Sequence, residues 1–202
     1  MKKIIVITPE TILHDEATLI KTALDAGAYR VHLRKPSSTQ QEVESLLQAI
    51  PLHYHPQIVL HDFHMLSQQY AIGGLHINHR ESHLPHNWQG SVSCSCHSIS
   101  EVELKKPKCN YLFISPICNS ISKPGYDAQF THETLLGAAK SGIIDEKVIA
   151  LGGINVENAE TLIKEYHFGG IALLGAIWDN PSIDHITATI QRLKTILQCY
   201  NT

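Results

Sequence analysis

The chain alternates between short β-branched runs and longer stretches whose apolar residues recur at helical spacing. Lys3–Thr8 (KIIVIT) reads as a strand, and Glu16–Ala26 follows with apolar residues three and four apart, the pattern that buries one helix face. The same pair of patterns returns in Tyr29–Arg34 with Thr39–Ala49, in Ile58–His61 with His64–Tyr70, and in Ser91–Ser95 with Ser100–Lys105. Tyr111–Ile114 precedes a long loop and then His132–Ser141. Val148–Leu151 precedes Asn158–Tyr166, and Gly170–Leu174 precedes Ile183–Cys199. Gly74–Ile77 is strand-like and leads only into a polar loop. Eight runs in 202 residues leave about 25 residues per unit, near the minimum for a strand, a crossover and a parallel strand. Such alternation predicts a parallel sheet covered by helices. Eight units predict an α/β fold of one kind, a small (β/α)8 TIM barrel. A doubly wound open sheet is the rival and usually uses fewer strands. No linker, low-complexity segment or internal repeat divides the chain, so residues 1–202 read as a single domain.

Composition narrows the class. At 43% hydrophobic and 17% charged residues the chain is not disordered. Its 16 basic residues are spread thinly against 19 acidic ones, which argues against nucleic acid as a partner. The apolar runs are too short to span a membrane, and Ile4–Ile7 is too short for the core of a signal peptide. Cys94, Cys96, Cys109, Cys118 and Cys199 are odd in number and lack framework spacing, so they read as free thiols of a cytoplasmic protein. Cys94 and Cys96 share a strand face and read as small packing residues, as Trp88 and Trp178 read as packing. The 14 histidines invite a zinc reading, yet no motif such as His-Glu-x-x-His is present. His53, His55, His83 and His86 are expected to be solvated.

Parallel barrels carry their active sites at the carboxyl ends of the strands. Strand 2 ends in His32 and Arg34, strand 3 in His61-Asp62, and strand 4 in His76 with Glu81 beyond it. Strand 5 ends in Ser95 with His97 just past it, and strand 6 leads through Ser115-Pro116 to Ser120, Ser122 and Lys123. Strand 7 ends in Gly152-Gly153-Ile154-Asn155, and strand 8 in Leu174-Gly175-Ala176. Glycines there let backbone N–H groups approach a ligand closely. A short helix over Ala176–Trp178 would aim its positive end at an anion. Together with the hydroxyls of Ser120 and Ser122 and the charge of Lys123, this order of elements favours a bound phosphate over a mere turn and a solvated loop. His76 reads equally as a satisfied barrel residue or a catalytic one.

These segments resemble a known family, thiamine phosphate synthase and the related thiazole tautomerase, over nearly the whole chain. Val31-His32-Leu33-Arg34 is similar to the family's Gln-x-Arg-x-Lys, Leu60-His61-Asp62 to Ile-Asn-Asp, and Gly73-Gly74-Leu75-His76-Ile77 to Gly-Val-His-Leu. Ser95-Cys96-His97-Ser98 resembles Ser-x-His-Thr, and Ser115-Pro116-Ile117 through Lys123 resembles Gly-Pro-Ile-Phe-x-Thr-x-Thr-Lys. Val148-Ile149-Ala150-Leu151-Gly152-Gly153-Ile154-Asn155 is the nearest match. The resemblance implies an enzyme that couples a hydroxymethylpyrimidine diphosphate to a thiazole phosphate and releases diphosphate through a pyrimidine carbocation. It implies Mg²⁺ held by Asp62 and Glu81, diphosphate contacts from Arg34 and Lys123, and Ser95 facing the pyrimidine. It places thiazole phosphate against Ser120, Ser122, Gly152, Gly153, Leu174 and Gly175. Small phosphorylated thiazole and pyrimidine compounds are then the partners, with a homo-oligomer compatible.

Departures from the family gather on the diphosphate side. His32 stands for its Gln, His61 for its Asn, Glu81 for an Asp, and Pro36 for a Lys. Losing that Lys removes a full charge, which His32 or His61 could replace if protonated. The tautomerase needs no diphosphate site and no metal, and the resemblance gives it His97 as acid and base. A non-catalytic regulator that binds thiazole phosphate or thiamine phosphate is the third reading.

Overall fold

Eight parallel strands close on themselves in sequence order in the computed structural model, which describes residues 1–119 and 129–200. They are β1 (Lys3–Ile7), β2 (Arg30–Leu33), β3 (Ile58–Leu60), β4 (Gly74–Ile77), β5 (Ser91–Cys96), β6 (Tyr111–Ile114), β7 (Val148–Leu151) and β8 (Gly170–Leu173). The barrel shuts where Ile4 of β1 meets Ile171 of β8. Among the described residues the α-helices are α1 (Glu16–Ala26), α2 (Gln40–Ala49), α3 (Ile99–Lys105), α4 (His132–Lys140), α5 (Ala159–Tyr166), α6 (Gly175–Trp178) and α7 (Ile183–Gln198). The expected (β/α)8 architecture is therefore present. It departs from regularity after β3, where His64–Gln68 is a 3-10 turn rather than an α-helix, and after β4, where the chain continues as loop. No helix of the described residues is long and apolar enough to cross a membrane.

Local signals account for the helix starts. Thr39 and Glu42 form a reciprocal capping box on α2, and Ser98, Thr131 and Ser182 each accept an amide N–H in the first turn of α3, α4 and α7. Gly27 ends α1 at φ 114°, a left-handed conformation that glycine adopts without strain. Outward-facing strand residues such as Val31, Leu33, Leu60 and Leu75 are fully or almost fully buried beneath the helices. Each such side chain contributes about 1.5–3 kcal/mol of burial.

The barrel interior is divided. Ile5, Ile7, Tyr111, Phe113, Ile149 and Ala172, from β1 and β6 to β8, pack as a cluster on one side. On the other side, β2, β4 and β5 contribute the buried His32, His76 and Ser93. His55, expected to be solvated, is also fully buried, with Nε2 donating to Leu47 O and Ile50 O at 3.1 and 3.0 Å. It fills the space under α2 because its ring closes the carbonyls at that helix's end.

One buried ion pair shapes the mouth of the barrel. Lys35, just past β2, donates to Pro9 O (2.8 Å) and Thr11 O (2.9 Å). Its Nζ lies 2.7 Å from Glu16 Oε1 and 2.8 Å from Oε2, with good hydrogen-bond geometry only to the latter. Burial lowers the Lys35 pKa and Glu16 opposes that shift. The pair ties the β1–α1 connection to β2 and points the Lys35 charge away from the cavity described below. Lys35→Met leaves a buried unpaired carboxylate and is expected to cost about 3–5 kcal/mol in urea unfolding. The double variant Lys35→Met/Glu16→Leu should recover most of that, and an unchanged midpoint in the single variant contradicts the pairing.

Candidate active site

A cavity of about 790 Å³ opens at the carboxyl ends of the strands. Arg34, His61, His76, Asn78 and Arg80 form one wall, from the ends of β2 to β4. Gly152, Gly153, Leu174 and Gly175 form the opposite wall, from the ends of β7 and β8. Ser95 and His97 enter from β5, and Ile7, Phe113 and Ala172 lie at the floor.

The glycine wall is set by close approach. Gly153 has φ 65°, and a Cβ there would lie 2.3 Å from Asn119 O; Gly152 has φ 97° and meets Pro116 at 2.9 Å. The β6 loop crosses against these glycines, and only glycine fits both the conformation and the space. Beside them, α6 presents the N–H groups of Gly175 and Ala176 at its start, whereas those of Ile177 and Trp178 donate to Leu174 O. The Trp178 indole N–H donates to Ile7 O at 2.7 Å and fixes α6 to β1. Ser120, Ser122 and Lys123 lie outside the described residues.

In the other wall, His61 and His76 form a bonded cluster with His32, which lies behind them. His32 joins His61 (Nδ1 to Nε2, 2.8 Å) and the Tyr111 hydroxyl (Nε2 to O, 2.7 Å). His61 stacks on His76 at 4.0 Å between ring centres. His76 lies 3.0 Å from Ser93 Oγ through Nδ1 and 3.0 Å from Ser95 Oγ through Nε2. Ser93 donates to Leu75 O, so it accepts the Nδ1 proton of His76, and Nε2 is left to accept from Ser95. Burial is the main cause holding all three rings neutral: the pKa values of His32 and His61 fall well below the usual range, and that of His76 falls to about 3. Neighbouring imidazoles and, for His61 and His76, the charges of Arg34 and Arg80 push the same way. His32 does not line the cavity, and burial pushes both His32 and His61 toward the neutral form.

This trio is the one three-residue group of potential metal ligands among the described residues. Its geometry is that of hydrogen bonding. Two nitrogens on one zinc at 2.0–2.1 Å would stand roughly 3.3–3.4 Å apart, whereas His32 and His61 nitrogens are 2.8 Å apart.

Arg34 is fixed by its backbone N–H on Thr8 Oγ1 (3.0 Å) and by its guanidinium on Glu10 (2.7 Å). His97 donates from Nδ1 to Ser115 O at 3.0 Å, which leaves the Nε2 lone pair as its free basic site. Asp62 is held by Arg80. Its Oδ1 takes Arg80 Nε at 2.8 Å and its Oδ2 takes Nη2 at 3.4 Å. Neither Asp62 nor Glu81 lines the cavity. The donor types suit a hard cation, but a guanidinium already spans both oxygens of Asp62. Holding a cation there would require Asp62 to leave Arg80.

Arg34, His61, Ser95, His97 and the four residues of the glycine wall are thus brought together as expected. Asn78, Arg80, Gln129 and His185 also line the cavity and were not foreseen. Asn78 was the available signal for Arg80. An Asn two residues before it accepts the Arg80 and Glu81 N–H groups at 2.8 and 3.1 Å, the local turn that Asn favours.

A neutral buried histidine binds fewer protons than its unfolded counterpart below about pH 6.5, so stability is complete above that pH and falls as pH drops toward the folded value. For His76, about 2 kcal/mol should disappear between pH 6.5 and pH 5. Urea midpoints measured at both pH values test this. His76→Asn should flatten the dependence, and an equally steep loss in that variant contradicts it.

The thiamine monophosphate synthase family model matches residues 4–177. A thiamine phosphate pyrophosphorylase from Bacteroides thetaiotaomicron is 36% identical, with a TM-score of 0.87 over 99% of this chain and 100% of that one. A thiamine phosphate pyrophosphorylase from Pyrococcus furiosus is 18% identical, with a TM-score of 0.79 over 99% and 97%. Phosphoribosylanthranilate isomerase from Thermotoga maritima, 12% identical with a TM-score of 0.62 over 96% and 100%, shares the fold alone. No curated protein matches the chain. The match over 4–177 and the 36% identity across the full barrel make the chain a member of the thiamine monophosphate synthase family.

Proposed function

We propose that the chain is a thiamine phosphate synthase, joining a hydroxymethylpyrimidine diphosphate to a thiazole phosphate with release of diphosphate. The observation that carries this reading is the two-sided cavity, with guanidinium groups on one wall and glycine backbone on the other. The thiazole phosphate is assigned to the Gly152-Gly153 and Gly175 wall, where N–H groups and the start of α6 suit a phosphate. Ser120 and Ser122 belong to this end by resemblance, and Lys123 by resemblance reaches the diphosphate. The pyrimidine diphosphate is assigned to the Arg34 side, with Ser95 and Phe113 against the ring. In the reaction the pyrimidine methylene–oxygen bond breaks, diphosphate leaves with the electron pair, and the thiazole nitrogen bonds to the carbocation. Arg34 stabilises charge as it develops on the leaving group. The imidazole cluster of that wall, which burial holds toward the neutral form, adds no positive charge beside the carbocation.

Magnesium accompanies the family resemblance, but no step here passes through it, because Arg80 holds Asp62. A cytoplasmic setting suits the five free thiols.

Tautomerisation of a thiazole carboxylate phosphate is the second reading, favoured by the bond from His97 Nδ1 to Ser115 O that frees Nε2 as a base. Incubation with both synthase substrates should yield thiamine phosphate and diphosphate, and Arg34→Ala should lower kcat/KM by about 100-fold or more. Absence of diphosphate, together with thiazole isomerisation that His97→Asn abolishes, would replace the synthase reading with the tautomerase.

A further inference from the structure

We propose that Arg80 is a cation of the diphosphate end of the cavity beside Arg34, supplying a charge that the resemblance assigns to a Lys at the position of Pro36. The inference rests on the synthase reading and names the group that meets its leaving diphosphate.

The charge deficit is concrete. Pro36 carries none. Lys35, its neighbour, is 1% exposed and consumed by Glu16 and two carbonyls. His32, His61 and His76 are buried in a cluster that hydrogen-bonds among itself and to Tyr111, Ser93 and Ser95. Among the described residues, Arg34 and Arg80 are the arginine and lysine side chains that line the cavity.

Arg80 is also a built feature. Asn78 holds the turn from both ends: Oδ1 accepts the Arg80 and Glu81 N–H groups, and Nδ2 donates to His61 O. This fastens the β4 loop to the end of β3 and lays the guanidinium along Asp62. Asp62 is only 11% exposed at its side chain, against 30% for Arg80, so the carboxylate sits behind the arginine and orients it. Asp62 engages the Nε and Nη2 edge, while a guanidinium has five N–H donors in all. The Nη1 end is left for a phosphate oxygen. Arg34 has the same design, a guanidinium oriented by Glu10 at 2.7 Å. Two forked cations, each braced by a carboxylate, suit an anion with several oxygens.

Calorimetric titration of the full chain with inorganic diphosphate in EDTA tests the proposal, with thiazole phosphate titrated in parallel. Wild type should bind diphosphate without metal. Arg80→Gln should weaken that binding by about 10- to 100-fold, and Arg80→Lys should restore part of it. Thiazole phosphate binding should be unchanged in both variants, which also shows that they fold. Asp62→Asn should leave diphosphate affinity in EDTA within a few-fold of wild type, because Asp62 orients the cation and does not line the cavity itself. Diphosphate binding that appears only with Mg²⁺ and vanishes in Asp62→Asn, with Arg80→Gln unaffected, overturns the proposal and leaves the synthase reading standing. Failure of wild type to bind either ligand overturns both.

Discussion

The hydrogen bond between His32 and His61 constrains the rest of the polar half of this barrel. An imidazole can be buried at this depth only if it is uncharged and its nitrogens have partners. His32 meets that condition by spanning from His61 to Tyr111, and His76 meets it through Ser93 and Ser95. The partners come from the end of β3, from β5 and from β6, so the network ties side chains together from β2 to β6. Removing one member leaves others unpaired, and each orphan costs about 1–3 kcal/mol.

Neutrality there has a consequence for the cavity. Positive charge has to come from groups at the rim, where water lowers the cost of carrying it. Arg34 and Arg80 occupy that rim, each held by a carboxylate. Their charges in turn help to keep His61 and His76 deprotonated. The cavity therefore separates into a cationic edge, a neutral polar wall beneath it, and a glycine wall that offers backbone N–H groups. This division matches a substrate pair with charge at both ends and an aromatic middle.

Most of the fold was legible because its determinants are local. Glu16–Ala26, Gly74–Ile77, Tyr111–Ile114 and Val148–Leu151 have the limits their hydrophobic spacing predicts. Thr39 and Ser182 announce their helices through capping chemistry that acts within one turn. The glycine wall was legible for the same reason. What was hidden depends on long-range partners. His55 looks like any surface histidine until α2 provides its acceptors, and Lys35 looks like a free cation beside Arg34 until Glu16 folds against it. Asp62 and Glu81 are close in the family pattern, yet the turn at Asn78 brings Arg80 to Asp62 instead.

The central claim is that His32, His61 and His76 form a neutral scaffold and that, among the described residues, the cavity's positive charge is carried by arginine. Nitrogen NMR of protein labelled with ¹⁵N-histidine, followed from pH 8 to pH 5, tests it most directly. The account predicts that these three rings, assigned by single substitution, keep the shifts of neutral tautomers throughout that range while exposed histidines titrate. Protonation of His32 or His61 near pH 6.5 in the folded protein would contradict it.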